Sequence, residues 1–182
     1  MRYHSIGKIK TNVTYLEMLE LPNSFQVTKS PALNIQNLKL KDIRFYRYLY
    51  DLVGGPWHWI SRKRLSDDEL AAVIESDATF LYVLYADGVP AGMAEIDAEE
   101  APIVHIRFFG LAPEFIGKGL SRFFLSNAVD LAWSLGAGEV RIETCTLDHP
   151  AALALYQKFG FAVFDQRLGS VELPDEEDGG AR

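Results

Sequence analysis

The residues whose types and spacing point most clearly to ligand binding lie in a glycine-rich segment at 109–122, which reads FGLAPEFIGKGLSR. A predicted strand ends in this segment, and Gly117 and Gly119 open a long amphipathic helix. The first N–H groups of a helix have no partner inside it, and the helix dipole adds about half a positive charge at the same end. Because glycine also lets a ligand approach the backbone closely, the segment is a candidate anion site. Lys118 and Arg122 would add positive charge beside a bound phosphate.

Two common nucleotide-binding patterns do not fit this segment. A P-loop requires GxxxxGK[ST], but Lys118 is followed by Gly119, and Ala112 stands where the first glycine is needed. A Rossmann fingerprint requires a third glycine, and Arg122 stands at that position. The segment is therefore neither a P-loop nor a Rossmann dinucleotide-binding turn.

Other reactive side chains give weaker patterns. Cys145 and His149 could form a thiol nucleophile and its base, but Cys145 lies inside a predicted strand, and a lone cysteine is more often buried and inert. The G-x-S-x-G pattern of a serine hydrolase is missing from the sequence. No metal is predicted, because the four histidines do not cluster as ligands; they are His4, His58, His105 and His149.

Hydrophobic periodicity and turn residues predict the elements that must position these groups. The predicted strands cover residues 13–16, 25–28, 80–85, 89–96, 103–111, 139–146 and 161–168. The predicted helices cover residues 38–53, a segment starting at the capping box of Ser66 and Glu69, and residues 117–135 and 150–159. Asp87-Gly88 predicts a hairpin turn. Antiparallel strands followed by a βαβαβ run predict a single α/β or α+β domain with a mixed sheet and helices on both faces.

Composition and charge limit the class of protein. The chain has 182 residues, of which 48% are apolar and 24% charged, as in ordinary globular domains. No apolar run approaches the roughly 18–20 residues of a membrane span, no secretory signal is visible, and a single cysteine excludes an internal disulfide. These features predict a cytoplasmic protein with no membrane partner, and a net charge of -7 argues against a nucleic-acid partner. We expect one domain over 1–170 and an acidic, disordered tail over 171–182.

Two motifs resemble those of the GCN5-related N-acetyltransferase (GNAT) superfamily. The sequence EFIGKG at 114–119 is similar to the family's Gln/Arg-x-x-Gly-x-Gly/Ala motif, and AALALYQKFGF at 151–161 is similar to its A-x-x-L-Y-x-K-x-G-F signature. The resemblance covers 80–168 and implies an acyl-CoA N-acyltransferase fold. That fold is a mostly antiparallel sheet of about six to seven strands with one splayed parallel pair, here 103–111 and 139–146. Glu114 departs from the motif, and because an acid cannot donate to a diphosphate, backbone N–H groups must carry the binding.

The resemblance also implies acetyl-CoA as the acyl donor, without a metal, and direct transfer of the acetyl group to an amine. The pantetheine arm would pair with the strand edge at 109–111, where Gly110 fits a bulge or a close approach of the ligand. The diphosphate would lie on the turn at 117–122. His149 stands where many family members have an asparagine near the pantetheine, or it caps the following helix. The residues so implied are Phe109, Gly110, Leu111, Gly117, Lys118, Gly119, Leu120, Ser121, Arg122 and His149.

Three residues are candidates for the proton transfers of such a reaction, which needs a neutral amine and a proton for the departing thiolate. Tyr156 matches the tyrosine that protonates the thiolate in several members of the family. His105 stands where some members carry a glutamate base, and a histidine titrates near about pH 6.5. Glu95 on the neighbouring predicted strand is the reserve base. The alternatives are a water chain as base and a purely structural, hydrogen-bonded His105.

The acceptor and the oligomeric state stay open at this point. Trp57 and Trp59 follow a Gly-Gly-Pro turn and could wall an acceptor pocket, where aromatic faces attract an ammonium group. Alternatively, both pack the helices onto the sheet. The negative net charge favours a cationic small molecule or a basic peptide end as acceptor. A homodimer and a non-catalytic acyl-CoA sensor are further alternatives that the sequence leaves open.

Overall fold

A computed structural model describes residues 5–22, 32–39 and 42–174 of the chain, which form seven strands and four helices. The strands are β1 (Ser5–Met18), β2 (Leu33–Asn37), β3 (Thr79–Ala86), β4 (Val89–Asp97), β5 (Ile103–Leu111), β6 (Glu139–Cys145) and β7 (Ala162–Pro174). The helices are α1 (Ile43–Gly54), α2 (Asp67–Ile74), α3 (Leu120–Ser134) and α4 (Ala152–Lys158). Single 3₁₀ turns lie at Gly55–Trp57 and Pro113–Phe115.

The strands form one sheet in the order β2-β3-β4-β5-β6-β1-β7. Among the strands described, β5 and β6 are the one parallel pair, and all other neighbours are antiparallel. Helices α1 and α2 pack on one face of the sheet, and α3 and α4 pack on the other. The predicted mixed sheet, with helices on both faces and one parallel pair, is confirmed.

Apolar side chains at helical spacing hold each helical layer on the sheet. The layer of α1 and α2 buries Tyr46, Leu49, Tyr50, Val53, Leu70 and Ile74 against Leu81, Val83 and Met93. The layer of α3 buries Phe124, Leu125, Ala128, Val129 and Ala132 against strand residues that include Val104, Ile106, Val140 and Ile142. The sheet is therefore a fixed platform, and ligand-binding groups can be placed at strand ends and in the loops.

Strands β5 and β6 separate partway along their length. Their parallel register stops at Ile106 opposite Ile142. Beyond that point β5 stays paired with β4 as far as Leu111, and β6 stays paired with β1 as far as Cys145. The two strands thus diverge into a V-shaped gap, which we call the fork. Within the described part of the chain, the β5 edge that faces the fork has no strand partner, so its N–H and C=O groups are open to an extended ligand.

Strand β5 contains a β-bulge next to the fork. The register between β4 and β5 shifts between Glu95 and Ile96, and Arg107 is the extra residue on β5. The bulge expected at Gly110 is therefore wrong, because Gly110 lies in the regular part of the ladder. A Cβ atom at Gly110 would lie 2.6 Å from Cγ1 of Val53, so glycine is needed there for the close approach of α1 to β5.

Capping side chains decide where the first two helices begin. Helix α1 begins at Ile43 rather than at the predicted residue 38, because the Asp42 carboxylate accepts the N–H of Phe45 at 2.9 Å. Helix α2 follows Ser66, whose capping box with Glu69 is confirmed.

Pairing between distant segments accounts for the main differences from the predicted strands. Strand β1 is longer than the predicted 13–16 and inserts between β6 and β7. Strand β2 has no counterpart among the predicted strands, and the predicted strand at 25–28 lies outside the described residues. Strand β7 runs to Pro174, into the segment expected to be a tail over 171–182, and the rest of that segment is not described. None of the described helices is long and apolar enough to cross a lipid bilayer.

Candidate active site

A cavity of about 1120 Å³ occupies the fork and extends to the loop that follows α1. Its walls come from β5, β6, the start of α3, α4, that loop, and parts of β1 and β7. Small-ligand cavities are usually about 300–1000 Å³, so this one has room for a large ligand. The predicted site residues on its wall are Trp57, Trp59, Phe109, Gly110, Leu111, Gly117, Gly119, Ser121, Arg122, His149 and Tyr156. Those not on its wall are Glu95, His105, Lys118 and Leu120.

The start of helix α3 opens into this cavity. The helix begins at Leu120 rather than at the predicted residue 117, and its N-cap is Gly119 with a φ of 78°. No side chain caps the helix, and a Cβ atom at Gly117 or Gly119 would meet nothing within 4 Å. The first N–H groups of α3 therefore have neither an intrahelical partner nor a capping oxygen. This geometry supports an anion site.

The charged groups around the α3 start differ from those expected. Lys118 is exposed, and its ammonium group lies 5.1 Å from the centroid of the Phe115 ring instead of on the cavity wall. Leu120 packs its side chain against the core, so only its backbone can contact a ligand. Arg122, which the motif predicted, lies on the wall, and so do Lys158 in the last turn of α4 and Arg107 of β5, which it did not predict.

An aromatic cluster supports the free edge of β5. The Phe109 ring packs on Phe124 at a centroid distance of 5.2 Å and on Tyr156 at 6.3 Å. These contacts join β5, α3 and α4 at the point where the fork is open. The free backbone edge at 109–111 is therefore held on the side of the cavity that also contains the α3 start.

Tyr156 presents a hydroxyl group to the cavity from α4. Its side chain is 5% exposed, and its hydroxyl has no hydrogen-bond partner among the described residues. Burial, with a smaller effect from Asp148, raises the pKa of this hydroxyl well above its usual value. The group therefore stays protonated at neutral pH and is free to donate a hydrogen bond or a proton.

The two residues predicted as bases do not reach the cavity. His105 lies in the paired part of β5, before the fork, and its Nε2 contacts a Glu100 carboxylate oxygen at 3.3 Å. Glu95 is fully buried and accepts from Tyr46 and Arg62, each at 2.5 Å. Neither residue lines the cavity: His105 stands before the fork beside Glu100, and Glu95 binds other side chains, so a role for either as the base stays a prediction.

Glu143 is the carboxylate that the sequence reasoning missed. It follows Ile142, the last residue of β6 in the parallel register, and its side chain lines the cavity. Among the described residues it has no ion-pair or hydrogen-bond partner. It is open to the cavity but surrounded by protein, and this partial desolvation raises the pKa of its carboxyl above the usual value. The only local signal is strand alternation, which places Glu143 on the face opposite that of Ile142 and Thr144.

The loop after α1 forms the wall opposite β6. The Trp59 ring lies 5.5 Å from Tyr50 and 5.1 Å from Phe108, and its indole N–H donates to the Asp148 carboxylate at 3.4 Å. Asp148 also accepts from the Thr144 hydroxyl at 2.8 Å. Trp59 therefore both packs α1 onto the sheet and walls the cavity, so the two readings of this residue are compatible.

Trp57 and His149 meet above the cavity. The two rings are in edge contact at 5.2 Å, and both residues line the wall. The Nδ1 atom of His149 accepts the N–H of Ala151 at 3.1 Å. This contact lies just before α4, as predicted for a His149 that caps the helix. No group of three or more His, Cys, Asp or Glu residues in the described ranges could hold a metal ion.

The sequence matches a family model described as the acetyltransferase (GNAT) family over residues 44–161. This match covers more than half of the chain, which therefore belongs to the GNAT acetyltransferase family. The chain has no match among curated proteins.

Solved structures share this fold at low sequence identity. A GCN5-related N-acetyltransferase from Sphaerobacter thermophilus superposes with a TM-score of 0.65 at 14% identity, covering 95% of this chain and 54% of that one. The ribosomal-protein-S18-alanine N-acetyltransferase of Escherichia coli superposes with a TM-score of 0.55 at 15% identity, covering 80% of this chain and 97% of that one. An aminoglycoside acetyltransferase from an uncultured soil metagenomic sample superposes with a TM-score of 0.58 at 15% identity, covering 70% of this chain and 87% of that one. The chain thus spans about half the length of the first of these proteins.

Proposed function

We propose that this chain is an N-acetyltransferase that moves an acetyl group directly from acetyl-CoA to an amine. The observation that carries the proposal is one cavity whose wall contains both the start of α3 and Tyr156, where neither the first N–H groups of the helix nor the Tyr156 hydroxyl has a side-chain partner among the described residues. An anion site and a buried proton donor in one cavity suit a ligand with a diphosphate at one end and a reactive thioester at the other. Membership of the GNAT family supports the same reaction.

The residues divide the binding of acetyl-CoA between backbone and side chains. The N–H groups at the start of α3 bind the diphosphate, and Arg122 and Lys158 offset its charge. The free β5 edge at 109–111 pairs with the pantetheine amides as a further strand would. Glu114 is exposed and off the cavity wall, so its negative charge does not oppose this binding.

Two side chains manage the protons of the transfer. The thioester supplies the acyl carbon, to which the acceptor nitrogen forms a bond as the carbon–sulfur bond breaks. Glu143 accepts the proton that the amine loses, because it is the carboxylate at the fork that has no partner among the described residues. Tyr156 donates its proton to the departing sulfur, and its raised pKa keeps that proton available at neutral pH.

The test measures CoA release from acetyl-CoA in the presence of a panel of amines. We expect Tyr156→Phe to lower kcat by about 10²-fold, the lower range for a general acid, and to leave the Kd of acetyl-CoA unchanged. Tyr48→Phe is the matched control, because Tyr48 is 50% exposed and off the cavity wall. Tight binding without CoA release across the panel, and no effect of Tyr156→Phe, would favour a non-catalytic acyl-CoA sensor.

A further inference from the structure

Arg107 and Glu143 lie at the apex of the fork. The parallel register of β5 and β6 ends at Ile106 opposite Ile142, and these two residues come next on their strands. Both side chains line the cavity. Neighbouring strands are roughly 5 Å apart, so a cation and an anion lie on either side of the point where β5 and β6 separate.

Among the described residues, the guanidinium group of Arg107 has a hydrogen-bond partner for its Nε atom but not for its two terminal nitrogens. The β-bulge makes Arg107 the extra residue of β5, and bulges re-aim side chains next to functional sites. Its Nε donates to the Asp97 carboxylate at 2.8 Å, which fixes the plane of the group. Its two terminal nitrogens have no hydrogen-bond partner among the described residues, and they are the part that can reach a ligand in the cavity.

The opposite charge at the fork is also without a partner. No ion pair of 4 Å or less joins Glu143 to Arg107 or to any other cation in the described residues. The other carboxylate of this wall, Asp148, is occupied, because it accepts from Trp59, Thr144 and the N–H of Cys145. In the described part of the chain, the Glu143 carboxylate and the terminal nitrogens of Arg107 are thus both available to a ligand in the fork.

A simple amine or polyamine does not use this pair well. Its ammonium group would be attracted by the carboxylate of Glu143 but repelled by the guanidinium of Arg107. A carboxylate, in contrast, matches the two terminal N–H groups of an arginine in a bidentate pair. The relatives named above act on a ribosomal-protein alanine and on aminoglycosides, so the fold itself does not choose the acceptor.

On the basis of the proposed function, we propose that the acceptor is an amino acid, whose carboxylate binds the free nitrogens of Arg107 while its amine faces Glu143. Tyr50, Trp59 and Phe108 give the cavity wall an aromatic part. Acceptors with apolar or aromatic side chains therefore fit this wall best. Arg107 is a specificity-determining residue in this arrangement.

The test compares matched ligands by calorimetry on the full chain saturated with CoA. Leucine, methionine, phenylalanine and tryptophan are titrated beside their amides, which keep the amine and the side chain but lack the carboxylate. We expect each bound amino acid to bind at least about tenfold more tightly than its amide, as one charge-assisted bidentate contact allows. Arg107→Gln should remove this difference, and Arg107→Lys should restore only part of it, because lysine lacks the planar fork.

Arg141→Gln is the control, because Arg141 is also a strand arginine but its Nε binds Glu139 and it lies off the cavity wall. It should keep the full preference for the acid over the amide. Unchanged acetyl-CoA affinity shows that an Arg107 variant is folded. The inference is overturned if none of the four amino acids binds, or if the amides bind as well as the acids. CoA release with amides alone would overturn the inference and leave the proposed function standing. Amino-acid binding without CoA release would contradict the proposed function and, with it, the role of the amino acid as acceptor.

Discussion

Glu143 and Tyr156 share one cavity but have environments suited to opposite proton transfers. Burial raises the pKa of the Tyr156 hydroxyl, so this group keeps its proton through the neutral range and can act as an acid. Partial desolvation also raises the pKa of the Glu143 carboxyl, with Arg107 opposing the rise and Asp148 adding to it. A carboxylate with a raised pKa is a stronger base than an ordinary one and stays ionised above that pKa.

At the residue scale, we expect Glu143→Gln to lower kcat by about 10²-fold near pH 7 and to remove the limb of kcat/KM that follows the titration of Glu143, so that only the rise toward the pKa of the amine is left. The native rate is lost as pH falls through the pKa of Glu143, because the protonated carboxyl cannot accept the amine proton. The variant should recover as pH rises toward the pKa of the amine, where more acceptor is neutral. Glu139→Gln is the control, because Glu139 is on the same strand but off the cavity wall, and it should keep the native pH profile of kcat/KM. An acidic limb whose midpoint is the same in Glu143→Gln as in the native protein would rule out this role.

The residue scale also shows where sequence reasoning stops. Tyr156 and Gly119 lie on the cavity because a local motif fixes each of them within or just before a helix. The base was predicted at His105, two residues before the bulge, because spacing along β5 does not show where β6 leaves it. A bulge and the end of a register depend on pairing with distant segments, which no local pattern records.

At the scale of elements, the loop between α1 and α2 is anchored by a buried ion pair. The Arg62 guanidinium binds the fully buried Glu95 carboxylate of β4 at 2.5 Å, and the Tyr46 hydroxyl donates to the other oxygen of the same carboxylate at 2.5 Å. The loop carries Trp57 and Trp59, so the ion pair positions one wall of the cavity. Removing one partner of such a pair is costly because the other charge is left buried.

We expect Glu95→Gln to lower the free energy of unfolding by about 3 kcal/mol, measured by urea denaturation. It should raise the acceptor KM, because the loop is no longer fixed, and should keep the acidic limb of kcat/KM. Asp165→Asn is the control and should change stability little, because its ion pair with Arg167 is exposed. A lost acidic limb with unchanged stability would instead support Glu95 as the base.

Local signals predicted most elements, and non-local pairing explains the rest. The hairpin turn has positive φ at both Asp87 and Gly88, as its sequence predicts, and the capping box of α2 forms as expected. The position of β1 between β6 and β7 had no such signal, because strand order depends on contacts across the whole chain. The Leu33 and Ile35 alternation in β2 was a usable signal, but five residues with polar neighbours form a weak pattern.

At the scale of the whole molecule, the first and last strands, β1 and β7, form one side of the cavity. Strand β1 pairs with β6 only over Val13–Met18, whereas its pairing with β7 continues to Ser5. The resulting ribbon places Gly169, Ser170 and Val171 on the cavity wall. Glu172 of β7 forms exposed ion pairs with Lys8 of β1 at 3.1 Å and with Arg64 at 3.2 Å, and the second of these links β7 to the loop after α1. The cavity is thus built from segments spread between β1 and β7 rather than from the two sequence motifs alone.

The most direct measurement is the calorimetric Kd of acetyl-CoA for the native chain, Gly119→Glu and Gly88→Glu. Both glycines have positive φ, 78° and 80°, and open space at the Cβ position, so the two variants share backbone strain and added charge. Only Gly119 lies at the start of α3. Micromolar binding that weakens at least about tenfold in Gly119→Glu and is kept in Gly88→Glu is the predicted result, because a carboxylate at the helix start repels the diphosphate. Equal affinity in all three proteins would contradict the placement of acetyl-CoA on α3.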